Sequence, residues 1–179
     1  MTKLQKELLS TAIYILVVLG LAHLMIKYVG QRTVVDGSSM ESTLQNGDSL
    51  WVDKLSYRFH DPERFDIVVF PIEDKPGTFY IKRIIALPGE TIYIDEKGTI
   101  YIDGEALAES YGNEVITPER RGRAAEKVRL GEDEYFVMGD NRNNSSDSRY
   151  EVVENLDRDI IIGKAVFRLY PFSKFGIVK

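Results

Sequence analysis

Between Glu7 and Lys27 the chain runs for nineteen residues, 8–26, without a fixed charge: LLSTAIYILVVLGLAHLMI. A helix of that length rises about 28 Å at about 1.5 Å per residue, close to the hydrocarbon thickness of a bilayer. A cleaved export signal would have a shorter apolar core followed by small residues at a cut site, and HLMIKYVG at 23–30 offers none. A helix buried in a soluble core would carry a polar face, and this one has little. The run therefore reads as a retained transmembrane anchor occupying residues 1–30 with its short leading stub. His23 falls inside it, near one end. Lys3, Lys6 and the α-amine before the run nearly balance Lys27 and Arg32 after it, so charge alone does not orient it.

Beyond Gly30 the pattern changes to short segments rich in Val, Ile, Phe and Tyr, at 33–36, 49–53, 65–70, 78–86, 91–94, 99–103, 134–138 and 160–169. Turn residues separate them, among them Asn46-Gly47-Asp48, Pro88-Gly89 and Lys97-Gly98. With no long amphipathic helix, residues 31–179 are expected to form one mainly β domain of antiparallel sheets or a barrel. The doublet IYIDEKGTIYIDG at 92–104 reads as a hairpin turning at 96–98. Residues 107–129 are polar, with Arg120, Arg121 and Arg123 clustered, and mark a small solvated insertion at about 104–133.

The chain has no cysteine and two histidines, which removes disulfides, thiolate nucleophiles and most metal sites, so no metal or cofactor is expected. A net charge of −5 without a basic tract argues against nucleic acid as a partner.

Three segments carry residues able to do chemistry. Residues 36–44, DGSSMESTL, combine glycine and serines in a tight irregular turn that can expose a hydroxyl and free N–H groups. In 79–90, FYIKRIIALPGE, Lys82 and Arg83 interrupt an apolar strand and must point to opposite faces, so that one can be solvated while the other points inward. A buried lysine is costly unless it loses its proton, and a neutral lysine is a base. Residues 139–149, GDNRNNSSDSR, are dense in short polar side chains that stabilise loops; Asp147 and Arg149 are spaced to pair within it, and the spacing of a calcium loop is missing.

Taken together these segments resemble the boxes of bacterial type I signal peptidases, also called leader peptidases. The matching stretches are 37–40 with Thr43 and Leu44, 47–52 with Lys54, 64–70, 80–83 with 87–89, and 139–149, in family order behind an apolar anchor. The short length and single anchor are similar to the Gram-positive branch. The resemblance implies Ser39 as nucleophile, Lys82 as general base and Ser145 as the hydroxyl that orients the lysine. It implies Asp147 with Arg149 as a supporting ion pair, and Asp140 and Asp66 as structural carboxylates. Met40, Leu44, Tyr80 and Ile81 fall where the family lines shallow pockets for small side chains. Two departures stand out: Ser42 replaces a usual proline, and Gly37 replaces a serine that in some relatives helps to bind the oxyanion.

The implied activity is that of a serine endopeptidase removing signal peptides from exported preproteins after small-X-small sites. It would act as a monomer in the cell membrane, crossing the bilayer once, with a cytoplasmic stub and an extracytoplasmic catalytic domain. Two other readings have distinct signatures. A self-cleaving Ser-Lys repressor of the LexA type would carry a DNA-binding N-terminus and an Ala-Gly autolysis site, and this sequence has neither. A non-enzymatic anchored β domain that binds protein partners would hold Ser39 and Lys82 far apart.

Overall fold

The computed structural model describes residues 2–72 and 77–179. Its helix α1, Lys3–Tyr28, opens on a capping box in which Thr2 and Gln5 exchange hydrogen bonds. None of its residues is buried, and its most apolar eighteen-residue stretch, with a mean hydropathy of 2.2, is that of a membrane span by composition.

The rest is mainly β structure with short 3-10 turns, as the mainly β expectation from the sequence has it. The strands are β1 (Gly30–Val34), β2 (Ser49–Asp53), β3 (Ile67–Pro71), β4 (Phe79–Ala86), β5 (Thr91–Ile94), β6 (Ile100–Ile102), β7 (Glu105–Ala106), β8 (Val128–Arg129), β9 (Glu134–Met138), β10 (Leu156–Asp157), β11 (Gly163–Tyr170) and β12 (Gly176–Ile177). Every pairing among the described residues is antiparallel. They form two sheets. The larger runs β1-β2-β11-β3-β4-β9-β10 with β12 added to β11; the smaller runs β7-β6-β5-β8.

Alternation along β4 and β9 divides the interior. Ile85, Phe136 and Met138 face the small sheet, where they meet Ile92, Ile94 and Ile102. Ile84, Tyr135 and Val137 face the other way, against Val68, Phe70 and Tyr57. A third cluster of Val35, Met40, Leu44, Leu50, Ile67 and Ala165 lies under the segment that follows β1. The 92–104 doublet is the β5–β6 hairpin, with Tyr93 opposite Tyr101. Its turn needs Gly98, whose φ is +80° and whose missing Cβ would lie 2.4 Å from the Ile116 carbonyl oxygen.

Two sequence expectations change. Residues 107–129 are not simply a solvated excursion: Ile116, Ala124 and Val128, with Leu130 just beyond, close the core under the small sheet. Neither Lys82 nor Arg83 is solvated; both are buried. The two do leave β4 on opposite faces, but a segment distant in sequence covers each face.

Candidate active site

Three segments meet at one end of the large sheet. The first leaves β1 in extended form, buries Val35, and turns at Gly37, whose φ is +104° and whose N–H donates to Asn46 Oδ1 at 2.9 Å. A turn follows, with Glu41 N–H donating to Ser38 O and Leu44 N–H to Met40 O. Met40 and Leu44 sit 1 % and 0 % exposed in the core below. They do not line the cleft described next, contrary to the pocket role expected of them: their apolar chains bury inward and hold the turn so that Ser39 faces outward, part-exposed.

The second segment is β4. Lys82 Nζ lies 2.8 Å from Ser39 Oγ and 3.1 Å from the Ile81 carbonyl oxygen, both within hydrogen-bond range. This contact is the opposite of what a binding-only domain would require. The ammonium also stands 4.8 Å from the centre of the Tyr80 ring. Burial pushes the Lys82 pKa down to about 8; Asp147 and Asp140 pull it part of the way back, and Arg149 adds a smaller downward push. At that value roughly a quarter of the side chain is neutral at pH 7.5, against about one in a thousand for an ordinary lysine.

The third segment is the loop 139–149 after β9. Asp147 receives Arg149 in bidentate fashion, Nε to Oδ1 and Nη2 to Oδ2, both at 2.8 Å, and accepts the Gly139 N–H at 3.0 Å. Arg149 also donates to the carbonyl of Arg142 within the loop and to that of Arg120, which ties the loop to the segment 107–129. Asp140 forms a second bidentate pair with Arg83, at 2.9 and 2.7 Å, and accepts the Thr43 hydroxyl. Arg83 stacks on Tyr111 at 3.7 Å and donates to Phe65 O. Thr43 and Asp140 thereby pin the turn carrying Ser39 to the loop facing it. Asp66 lies farther away, accepting from Tyr57 Oη and Glu63 N–H and pairing with Lys164.

Contacts that sequence reasoning did not assign complete the frame. Asn141 N–H donates to Ser39 O, Asn141 Nδ2 to Ser38 O, and Asn144 Nδ2 to Ser38 Oγ, all at 3.1 Å. Gly139 is backed so closely that a Cβ there would lie 2.3 Å from Ser145 Oγ and 2.4 Å from Ser39 O. Ser145 is buried beside this contact, and its hydroxyl has no hydrogen-bond partner among the described residues; the bond to Lys82 expected of it is not formed in this arrangement.

A cleft of about 310 Å³ runs between residues 33–39 on one wall and residues 78–82 on the other, with Val69, Asn144 and Ser146 also lining it. Tyr80 and Ile81 line it. The geometry explains the opening. On one side β4 pairs with β3 from Phe79 to Arg83, but on the other β9 joins only from Arg83 onward. Residues 79–82 thus keep one strand edge unpaired, facing the extended segment after β1. A hydroxyl held by a buried, partly neutral amine beside an open strand edge is equipped for attack on an extended peptide.

The chain is similar to known proteins over most of its length. The family described as "Signal peptidase, peptidase S26" matches residues 8–170. The chain is 40% identical over 169 residues to "Probable signal peptidase I-1" of Synechocystis sp., covering 90% of this chain and 82% of that one. It is 35% identical to "Signal peptidase I" of Bacillus licheniformis, covering 91% and 88%. A crystal structure of a signal peptidase I from Enterococcus faecalis is 35% identical, with a TM-score of 0.48 over 59% of this chain and 97% of that one. The chain belongs to the peptidase S26 signal peptidase family, among the bacterial type I signal peptidases, and is a serine endopeptidase.

Proposed function

We propose that this chain removes signal peptides from exported preproteins after small-X-small sites, with a Ser39–Lys82 dyad as its catalytic unit. The observation that carries the reading is the 2.8 Å contact between Lys82 Nζ, on a buried side chain, and Ser39 Oγ at the mouth of the cleft. The substrate enters extended, adding a strand between residues 33–36 and the free edge of 79–82, so that alternate side chains turn into the walls. Neutral Lys82 takes the Ser39 proton as Oγ attacks the scissile carbonyl carbon. The Ser39 N–H, which has no protein acceptor among the described residues, is one donor to the oxyanion. As the C–N bond breaks, the proton passes from Lys82 to the leaving amine. Water then attacks the ester on Ser39, with Lys82 again accepting a proton and returning it to Oγ. Ser145, packed against Gly139, orients the lysine once substrate fills the cleft.

Helix α1 spans the bilayer and holds residues 31–179 at the extracytoplasmic face, where signal peptides emerge. Its uniformly exposed apolar surface supports that placement. The test is incubation of the detergent-solubilised chain with a preprotein carrying an Ala-X-Ala site. Ser39→Ala and Lys82→Arg should each abolish cleavage, since arginine keeps the charge but never accepts the proton. Ser38→Ala should be mild. Strong cleavage by Ser39→Ala overturns the assignment.

A further inference from the structure

The junction where α1 meets β1 carries a cluster that the catalytic reading does not use. Three cations converge on the last turn of the helix. Lys27 Nζ stands 5.1 Å, and the Arg58 guanidinium carbon 4.8 Å, from the centre of the Tyr28 ring. Lys54 Nζ donates to Ile26 O at 3.1 Å, and Lys54 N–H donates to Val29 O. None of the three forms an ion pair among the described residues. The neighbouring carboxylate, Asp53, is turned away, accepting from the N–H groups of Leu55 and Ser56 and from the Ser56 hydroxyl. Large apolar side chains stand exposed among these cations: Phe59 is 73% exposed and Leu55 39%.

Lys54 has a local reason to be here, since a cation favours the carbonyl end of a helix. Arg58 and Phe59 do not. Arg58 ends a short 3-10 turn at Ser56–Arg58, with Phe59 next in the chain, that lies far along the chain from α1, and the Arg58 guanidinium reaches back to the end of the helix. Cations without a carboxylate partner among the described residues, interleaved with exposed Phe and Leu at the mouth of an apolar helix, match one environment. There phosphates lie in the same plane as the helix end, and acyl chains begin just beneath.

We propose that the collar formed by Lys27, Lys54 and Arg58 with Phe59 is a binding surface for the phosphate headgroups of anionic phospholipid. The proposal rests on the reading of α1 as a membrane span. Phosphate oxygens would accept from the three cations, and Phe59 would rest at the acyl boundary. The collar holds the β domain against the bilayer at a second point besides the helix, which limits how far the domain can swing about the Val29–Gly30 junction.

A reporter is built in. Trp51 is the sole tryptophan, and it lies against Gly30, with its ring carbons 2.7 and 2.8 Å from where a glycine Cβ would be. The full chain is reconstituted in phosphatidylcholine bilayers holding one fifth phosphatidylglycerol. Either the phosphatidylglycerol, or an equal mole fraction of the phosphatidylcholine, carries brominated acyl chains, and quenching of Trp51 is measured. The expected result is quenching by the brominated anionic lipid at least about threefold stronger than by the neutral one, as electrostatic enrichment at three cations requires. The excess should shrink with added salt. It should fall in Arg58→Gln and vanish in the triple variant Lys27→Gln, Lys54→Gln, Arg58→Gln. Equal quenching by the two lipids in the unaltered chain overturns the proposal while leaving the anchor intact. No quenching by either lipid overturns it together with the anchor reading. Undiminished preference in Arg58→Gln and in the triple variant assigns the lipid contact elsewhere and overturns it too.

Discussion

Replacing Lys82 by methionine should make the protein more stable as it makes it inactive. Lys82 is 3% exposed, so solvent does little to screen the cost of its charge. A pKa lowered from 10.5 to about 8 means that folding disfavours the protonated form by about 3 kcal/mol. The folded protein binds fewer protons than the unfolded chain between pH 8 and pH 10.5, so wild-type stability rises with pH across that window. Below pH 8 the penalty is present in full; above pH 10.5 it is gone. Methionine fills similar volume and does not titrate. It forfeits the hydrogen bonds to Ser39 Oγ and Ile81 O, at about 1 kcal/mol each, but Ser39 remains part-exposed and can be hydrated. Near pH 7 the variant should therefore be more stable by about 1–3 kcal/mol, and the advantage should fall by about 3 kcal/mol by pH 10.5. Urea unfolding of the detergent-solubilised chain, followed by the fluorescence of Trp51 at pH 7, 8, 9 and 10, measures the difference. Other titrating groups are common to both proteins and cancel. A stability difference that stays constant from pH 7 to pH 10 would refute the reasoning, because it would mean that burial does not depress the Lys82 pKa.

The same pKa sets the pH dependence of catalysis: kcat/KM should climb roughly fivefold between pH 7 and pH 8 as Lys82 loses its proton, and a flat profile there would exclude it as the base. Gly139→Ala pushes a methyl group against Ser145 Oγ and the Ser39 carbonyl, and should lower kcat on the order of a hundredfold, with circular dichroism showing the fold retained; near-normal turnover would mean that the Ser39 turn is not held in register by this contact. Ser145→Ala should lower kcat with KM little changed and leave stability equal or slightly higher, since it removes a buried hydroxyl without a partner; a change confined to KM would make Ser145 a substrate contact.

How much of this could be read from the sequence differs by element. The anchor, the β5–β6 hairpin and the central strands announce themselves because their patterns are local and repeat with the pleat or with hydrocarbon length. Strands β7, β8, β10 and β12 are two residues each, too short to show a period. Arg83 points off β4 where alternation says it must, but the sequence says nothing of what waits there. Its partner Asp140 lies 57 positions away, and Tyr111 stacks from a segment whose polar composition suggested solvent. Met40 and Leu44 are another instance: an apolar residue beside a nucleophile serves a pocket or a core equally well on paper, and only the packing of Val35 and Leu50 around them decides. Asn141 and Asn144 carried a signal, short amides in a dense polar loop, yet that signal reads as turn formation until the Ser38–Ser39 backbone is seen against them.

The parting of β9 from β4 at Arg83 bears on inhibition and turnover. A strand added along residues 79–82 gains only a few ladder hydrogen bonds, each worth about 1 kcal/mol net, while ordering each residue of a flexible peptide costs about 1–2 kcal/mol. A linear peptide therefore sits in this cleft briefly, which suits an enzyme that must let both halves of its product go. It also means that lengthening a linear inhibitor returns little. A macrocycle locked in the extended form over the same four positions avoids the ordering cost, and its residence time should lengthen through slower dissociation without any new contact.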